Sequence, residues 1–149
     1  MSVSDRLKEL GIVLPEPVRP VATYVRYVQT GNLLFISGTG PGDDIGKGKL
    51  GDDMSLEEGY AAARSTGLSI LATAQDALGD LDRIKRLVKL FGMVNATPDY
   101  ENHPRVINGC SDLFVEVFGE RGYGSRSAVG FVSLPSGIPV EIECTFEID

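Results

Sequence analysis

The chain is short of the residues that build metal and redox centres: its 149 residues include two cysteines and one histidine. Cys110, Cys144 and His103 are too few ligands, at no recognised spacing, for a zinc site, and no metal is expected. Two cysteines without a secretion signal read as reduced core side chains, with pocket lining as the alternative. Basic clusters are also scarce. None exceeds Arg83-Ile84-Lys85-Arg86, in a chain of net charge -7 and pI 4.7. A phosphate-tracking surface needs a basic face, so no nucleic-acid partner is expected, and these three charges read as the exposed start of a strand. Long apolar runs are missing too, with nothing near the roughly 18 residues of a membrane span. Met1 to Leu14, charged at Asp5, Arg6, Lys8 and Glu9, has no apolar secretion-signal core. The expectation is a cytoplasmic protein with no membrane partner.

What is present is ordinary for one folded domain with a core, 42% apolar and 23% charged. Ser4 to Leu10 predicts a short helix capped by Ser4 and ended by Gly11, after which Pro15, Pro17 and Pro20 impose an extended stretch. Residues 1–20 thus form a helix and proline-rich lead-in, and 21–149 the main domain. Val21 to Gln29 is rich in β-branched and aromatic residues, Thr30-Gly31-Asn32 is a turn, and Leu33 to Gly38 continues as a second strand. Gly38 to Asp53, with six glycines and four aspartates, is a loop. It fails as a phosphate cradle: three rather than four residues separate Gly42 from Gly46, Gly48 follows Lys47, and the aspartates repel phosphate.

Ser55-Leu56-Glu57-Glu58 is a capping box opening a long helix to Leu78, closed by Gly79. Its small residues predict close packing against a sheet. Ile84 to Val94 reads as a strand interrupted at Gly92. His103-Pro104 opens a second helix whose stripe of Val106, Cys110, Leu113, Phe114 and Val117 ends at Gly119. Ser127 to Leu134 reads as a strand, Pro135 to Pro139 as a turn, and Val140 to Ile148 as a strand. In that last strand Val140, Ile142, Cys144, Phe146 and Ile148 face one way and Glu141, Glu143, Thr145 and Glu147 the other. The order of hairpin, helix, strand, helix, hairpin predicts an α+β fold: a mixed, mostly antiparallel sheet with two helices on one face.

The segment Ser125-Arg126-Ser127 to Glu143, with Leu134-Pro135 and then Glu141-Ile142-Glu143, resembles the signature of the Rid (reactive intermediate deaminase, YjgF-like, endoribonuclease L-PSP) family. Weaker matches fall at Tyr24-Val25, Ile36-Ser37-Gly38 and Asn108, so the resemblance spans about Val21 to Ile148. It points to a longer-chain subgroup. It implies a chorismate-mutase-like fold, a homotrimer with an inner barrel, and intersubunit clefts that hydrolyse 2-imino or 2-enamino acids to 2-keto acids and ammonia without a cofactor. By this resemblance Arg126 binds the substrate carboxylate, for which a planar guanidinium with paired donors is suited. Glu141 orients or deprotonates water, or carries a proton to ammonia. Tyr24, Ser37, Gly38 and Asn108 position the substrate. Ala128 stands where archetypal imine deaminases carry a cysteine, and Gly122 to Ser125 departs from their lead-in to the arginine; both leave the substrate open.

Each of these residues also has a plain reading: Arg126 as an exposed strand start, Glu141 as part of a solvated polar face. The alternative function is a non-enzymatic trimer that binds keto acids or other small carboxylates. A ribonuclease fits the acidic charge poorly, and chorismate mutase activity would rest on fold alone. If residues 127–134 and 140–148 pair as a hairpin, Arg126 lies opposite Ile148 and about 23 Å from Glu141, at about 3.3 Å per residue. Joint use of the two residues then requires a second chain.

Overall fold

The computed structural model describes residues 1–149. Three helices, α1 (Val3–Glu9), α2 (Leu56–Leu78) and α3 (His103–Phe118), accompany five strands. These are β1 (Tyr27–Thr30), β2 (Leu33–Thr39), β3 (Ile84–Asn95), β4 (Ser125–Phe131) and β5 (Val140–Ile148). They form one sheet in the order β1-β2-β5-β3-β4, antiparallel except for the parallel pair β3/β4. This is the expected mixed sheet. Its helix-facing residues, among them Leu34, Ile36, Leu87, Leu90, Ile142 and Phe146, join α2 and α3 in a single core.

Local chemistry sets most element ends as expected. The Ser55–Glu58 capping box is complete, and Gly79 closes α2 in the left-handed conformation at φ 78°. Helix α1 starts earlier than expected, because the Ser2 hydroxyl rather than that of Ser4 accepts from an early backbone N–H, that of Asp5 at 3.0 Å. The opening hairpin is present but its first strand is only Tyr27–Thr30; residues 21–26 lie outside the sheet's regular ladder.

Two expectations fail. Strand β3 runs straight through Gly92, where the missing side chain admits α3: a Cβ there would lie 2.6 Å from Ile107 Cγ1. More consequentially, β4 and β5 are not a hairpin. Strand β5 inserts between β2 and β3, and β4 lies parallel to the far side of β3. A parallel neighbour needs a crossover, and α3 supplies it between β3 and β4. Arg126 is therefore level with Leu90 of β3, not with Ile148.

The small residues of α2 serve its contact with α3 as well as the sheet. A Cβ at Gly67 would fall 2.9 Å from Leu113 and 3.1 Å from Cys110 Sγ. On the partner helix, a Cβ at Gly109 would fall 2.0 Å from the Tyr60 carbonyl oxygen and 3.0 Å from Arg64 N. Backbone cannot swing aside as a side chain can. Gly109→Ala is predicted to cost about 1–3 kcal/mol, read as a lower urea midpoint, because the helices must separate.

Candidate functional site

Two groups of polar side chains stand apart from the general surface. The first is built where β4 meets α3. Residues of β4 alternate, so Arg126, level with the buried Leu90 and Cys144, points to the helix side of the sheet. There its Nη1 donates to Asn108 Oδ1 at 2.8 Å and Ser111 Oγ at 3.1 Å, and Nη2 to the Pro104 carbonyl at 3.5 Å. Asn108 and Ser111 are three residues apart on α3 and share a face. The guanidinium is half-buried at the head of a cleft of about 500 Å³, walled by Leu87, Leu90, Val115 and Tyr123. No carboxylate lies within ion-pair distance of it. Its charge is oriented by neutral groups and remains free to bind an anion.

The second group lies on the opposite, open side of the sheet. Glu141 is paired with Met93 on β3, and its side chain crosses to β2 where that strand carries an extra residue between Ile36 and Thr39. Gly38 occupies this bulge: a Cβ there would lie 2.3 Å from Glu141 Oε2, so the absent side chain gives the carboxylate its place. Ser37 Oγ donates to the Val25 carbonyl at 2.5 Å, fastening the bulge to the segment that carries Tyr24. Arg26 joins the parts. Its Nη1 donates to Tyr24 Oη and to the Gly38 carbonyl, both at 3.2 Å, and its Nη2 to Thr39 Oγ1 at 2.8 Å. Burial and the neighbouring Glu143 carboxylate raise the Glu141 pKa above the usual carboxylate range, while Arg26 opposes the shift.

The sequence-derived candidates thus divide. Arg126 and Asn108 come together in the first group; Tyr24, Ser37, Gly38 and Glu141 come together in the second. Within one chain the groups do not meet. Arg126 is level with Cys144, three residues or about 10 Å along β5 from Glu141, and the two side chains leave opposite faces of the sheet. The separation expected from a hairpin therefore exists for a different reason. Sequence reasoning missed Ser111 and Arg26. Spacing could have found both, since Ser111 is one turn from Asn108 and Arg26 shares a side with Tyr24 in an extended segment.

The lone His103 packs edge-on against Tyr100, with ring centroids 5.5 Å apart, and abuts Gly130. Cys110 and Cys144 are both buried, and desolvation pushes each thiol far above its ordinary pKa.

A family model described as "YjgF/chorismate mutase-like, putative endoribonuclease" matches residues 4–140. The chain belongs to the YjgF/RidA family. It is 44% identical over 151 residues to Protein TCP17 of Trypanosoma cruzi, covering 99% of this chain and 94% of that one. The crystal structure of Atu1372 from Agrobacterium tumefaciens, a protein of unknown function, is 40% identical with TM-score 0.91, covering 99% and 92%. RidA from an Antarctic Psychrobacter is 28% identical with TM-score 0.60, covering 89% and 94%. The family's chorismate-mutase-like fold is what the sheet and helices form.

Burial of the thiols has a direct consequence. Since the thiolate is the reactive form, native protein at pH 8 should leave both cysteines unmodified by a thiol-specific reagent while urea exposes two. A fast-reacting thiol in the folded state would contradict this arrangement.

Proposed function

We propose that the protein hydrolyses 2-imino or 2-enamino acids to 2-keto acids and ammonia in clefts between copies of itself arranged as a homotrimer. The observation that carries this reading is the Arg126 guanidinium: half-buried, held by Asn108 and Ser111, and without an acidic partner. Such a group is poised for a carboxylate, and the adjoining cleft, which also carries Asp112 and Glu116, is large enough to admit a small acid. The separation of Arg126 from Glu141 on opposite faces of the sheet supports a shared site. One copy offers an anion anchor, and the other a carboxylate seated against Gly38, beside the segment that carries Tyr24 and Arg26.

In this scheme Arg126 fixes the substrate carboxylate and so aims the C=N carbon. Glu141 of the neighbouring copy takes a proton from water as its oxygen attacks that carbon, giving a tetrahedral carbinolamine. The same carboxyl hands that proton to nitrogen; it then takes the hydroxyl proton as the C=O forms and passes it to nitrogen as the C–N bond breaks, so ammonia leaves with both water hydrogens and the keto acid remains. Overall one water is consumed and no redox change occurs.

The open sheet face favours assembly. Val28, Phe35, Val129 and Phe131 are each about half exposed there, beside Phe91, Lys89, Glu143 and Thr145. A patch of this kind on a folded chain marks an association surface, here taken as the lining of an inner barrel. RNA cleavage is disfavoured by the net charge of -7 and by a lone histidine already packed against Tyr100.

Loss of an enzymatically generated 2-imino acid tests the activity. Arg126→Ala should reduce kcat/KM by roughly 10²-fold, the scale of a lost charge-assisted bond. If wild type gives no acceleration yet binds keto acids through Arg126, the protein is a carboxylate binder instead. Shared clefts have their own signature. Arg126→Ala and Glu141→Gln, each inactive alone, should regain about a quarter of wild-type activity when co-refolded one to one, by random pairing of subunits in a closed ring. No recovery from mixed oligomers, or a monomer by sedimentation, would overturn the shared site.

A further inference from the structure

Arg26 is not one of the residues that motif resemblance selects, yet it makes more side-chain contacts than any other member of the second group. It lies just before β1, in the segment that follows the proline-rich lead-in, and reaches across the hairpin to β2. Its three hydrogen bonds join Tyr24, Gly38 and Thr39, and its guanidinium carbon stands 5.8 Å from the centre of the Tyr24 ring. Thr39 passes the connection on, its hydroxyl donating to the Ser37 carbonyl at 2.8 Å. Arg26 Nε is buried without a partner. An arginine that gives up one hydrogen bond to reach this position is costly to place there, which argues against a merely solvated surface charge.

The charges around Glu141 give the arrangement a purpose. Its own strand contributes Glu143, the segment before β1 contributes Arg26, and β2 and β3 present the uncharged Ser37, Gly38, Thr39 and Met93. No hydrogen bond or ion pair is made to the Glu141 carboxylate by any side chain of its own chain. Arg26 is the one cation that offsets Glu143, and it does so from beyond ion-pair distance, leaving both carboxylate oxygens free.

We propose that Arg26 is the positioning residue of the Glu141 half-site, clamping Tyr24 to the β2 bulge and holding a positive charge across Gly38 from the Glu141 carboxylate. This rests on the shared-cleft reading for its catalytic meaning, but the electrostatic part stands within one chain. Arg26 acts through Glu141 and Tyr24 rather than on the reacting atoms. It sets the pH range over which Glu141 accepts a proton, and it holds the Tyr24 phenol against the β2 bulge.

Titration of Glu141 separates the role of Arg26 from imine hydrolysis itself. The Glu141 carboxyl is titrated by carbon-detected NMR of glutamate-labelled wild type, Arg26→Gln and Arg26→Lys, with Glu147 on the same strand as internal control and Glu141→Gln for assignment. Arg26→Gln should raise the Glu141 midpoint by about one pH unit, as expected for a lost nearby opposite charge, and leave Glu147 in place. Arg26→Lys should hold the midpoint near that of wild type, because it keeps the charge. An unmoved Glu141 in Arg26→Gln, or an equal rise in both variants, would overturn the proposal whether or not the protein turns over imines. With turnover measurable, the acid limb of kcat should shift upward by the same amount in Arg26→Gln while KM changes less than about threefold, since Arg126 still holds the substrate. A rise in KM with kcat and its pH profile unchanged would place Arg26 in binding and defeat the positioning role.

Discussion

The parallel alignment of β4 on the outer edge of β3 is the constraint from which the site follows. Parallel neighbours cannot be joined by a tight turn, so the chain must cross the sheet between them, and α3 is that crossing. The same event places the helix over the strand it has just delivered. Arg126, near the start of β4, then emerges beneath Asn108 and Ser111, which orient its guanidinium. An antiparallel β4 beside β5 would have presented the same residue to a different surface, with no helix to hold it.

Close approach of α3 to its surroundings is what makes this geometry rigid. Gly92 yields to Ile107 on one side of the helix, and Gly109 lets it lie against the backbone of α2 on the other. Around this, polar groups are satisfied by near neighbours: Asn95 donates to the Gly48 and Ile138 carbonyls and accepts from Lys49 Nζ at 2.7 Å, fastening the glycine-rich loop to the end of β3. Arg126 likewise has only neutral partners, and Glu141 is squeezed toward β2 by the bulge at Gly38. Neither side chain is in an ion pair.

Much of the local structure was legible because it depends on neighbours in the chain. The Ser55–Glu58 box, the αL glycine after α2, the apolar stripe of α3 and the alternation of β5 each need only a few adjacent residues. The extent of β1 was less legible: Val21 to Arg26 has strand-like composition, but the segment is diverted by the proline-rich lead-in and by the contacts of Tyr24 and Arg26. The candidates Arg126, Glu141, Tyr24, Ser37, Gly38 and Asn108 came from motif resemblance rather than from composition. Their division into two groups, and the presence of Arg26 and Ser111 among them, required a register that no motif contains.

Alternation along β5 settled which of its residues enter the core, and the turn residues at Pro135–Pro139 settled that the chain reverses there, because side-chain direction and turn geometry are short-range properties. Neither property says which strand becomes the neighbour. Tertiary packing decided that β5 fills the space between β2 and β3, where its apolar face is covered by both helices and both of its edges are hydrogen-bonded. Strand β4 was left for the edge of the sheet. Pairing between strands distant in sequence is set by the burial of the whole core at once, and so a turn that reads as a hairpin can join two strands that never touch.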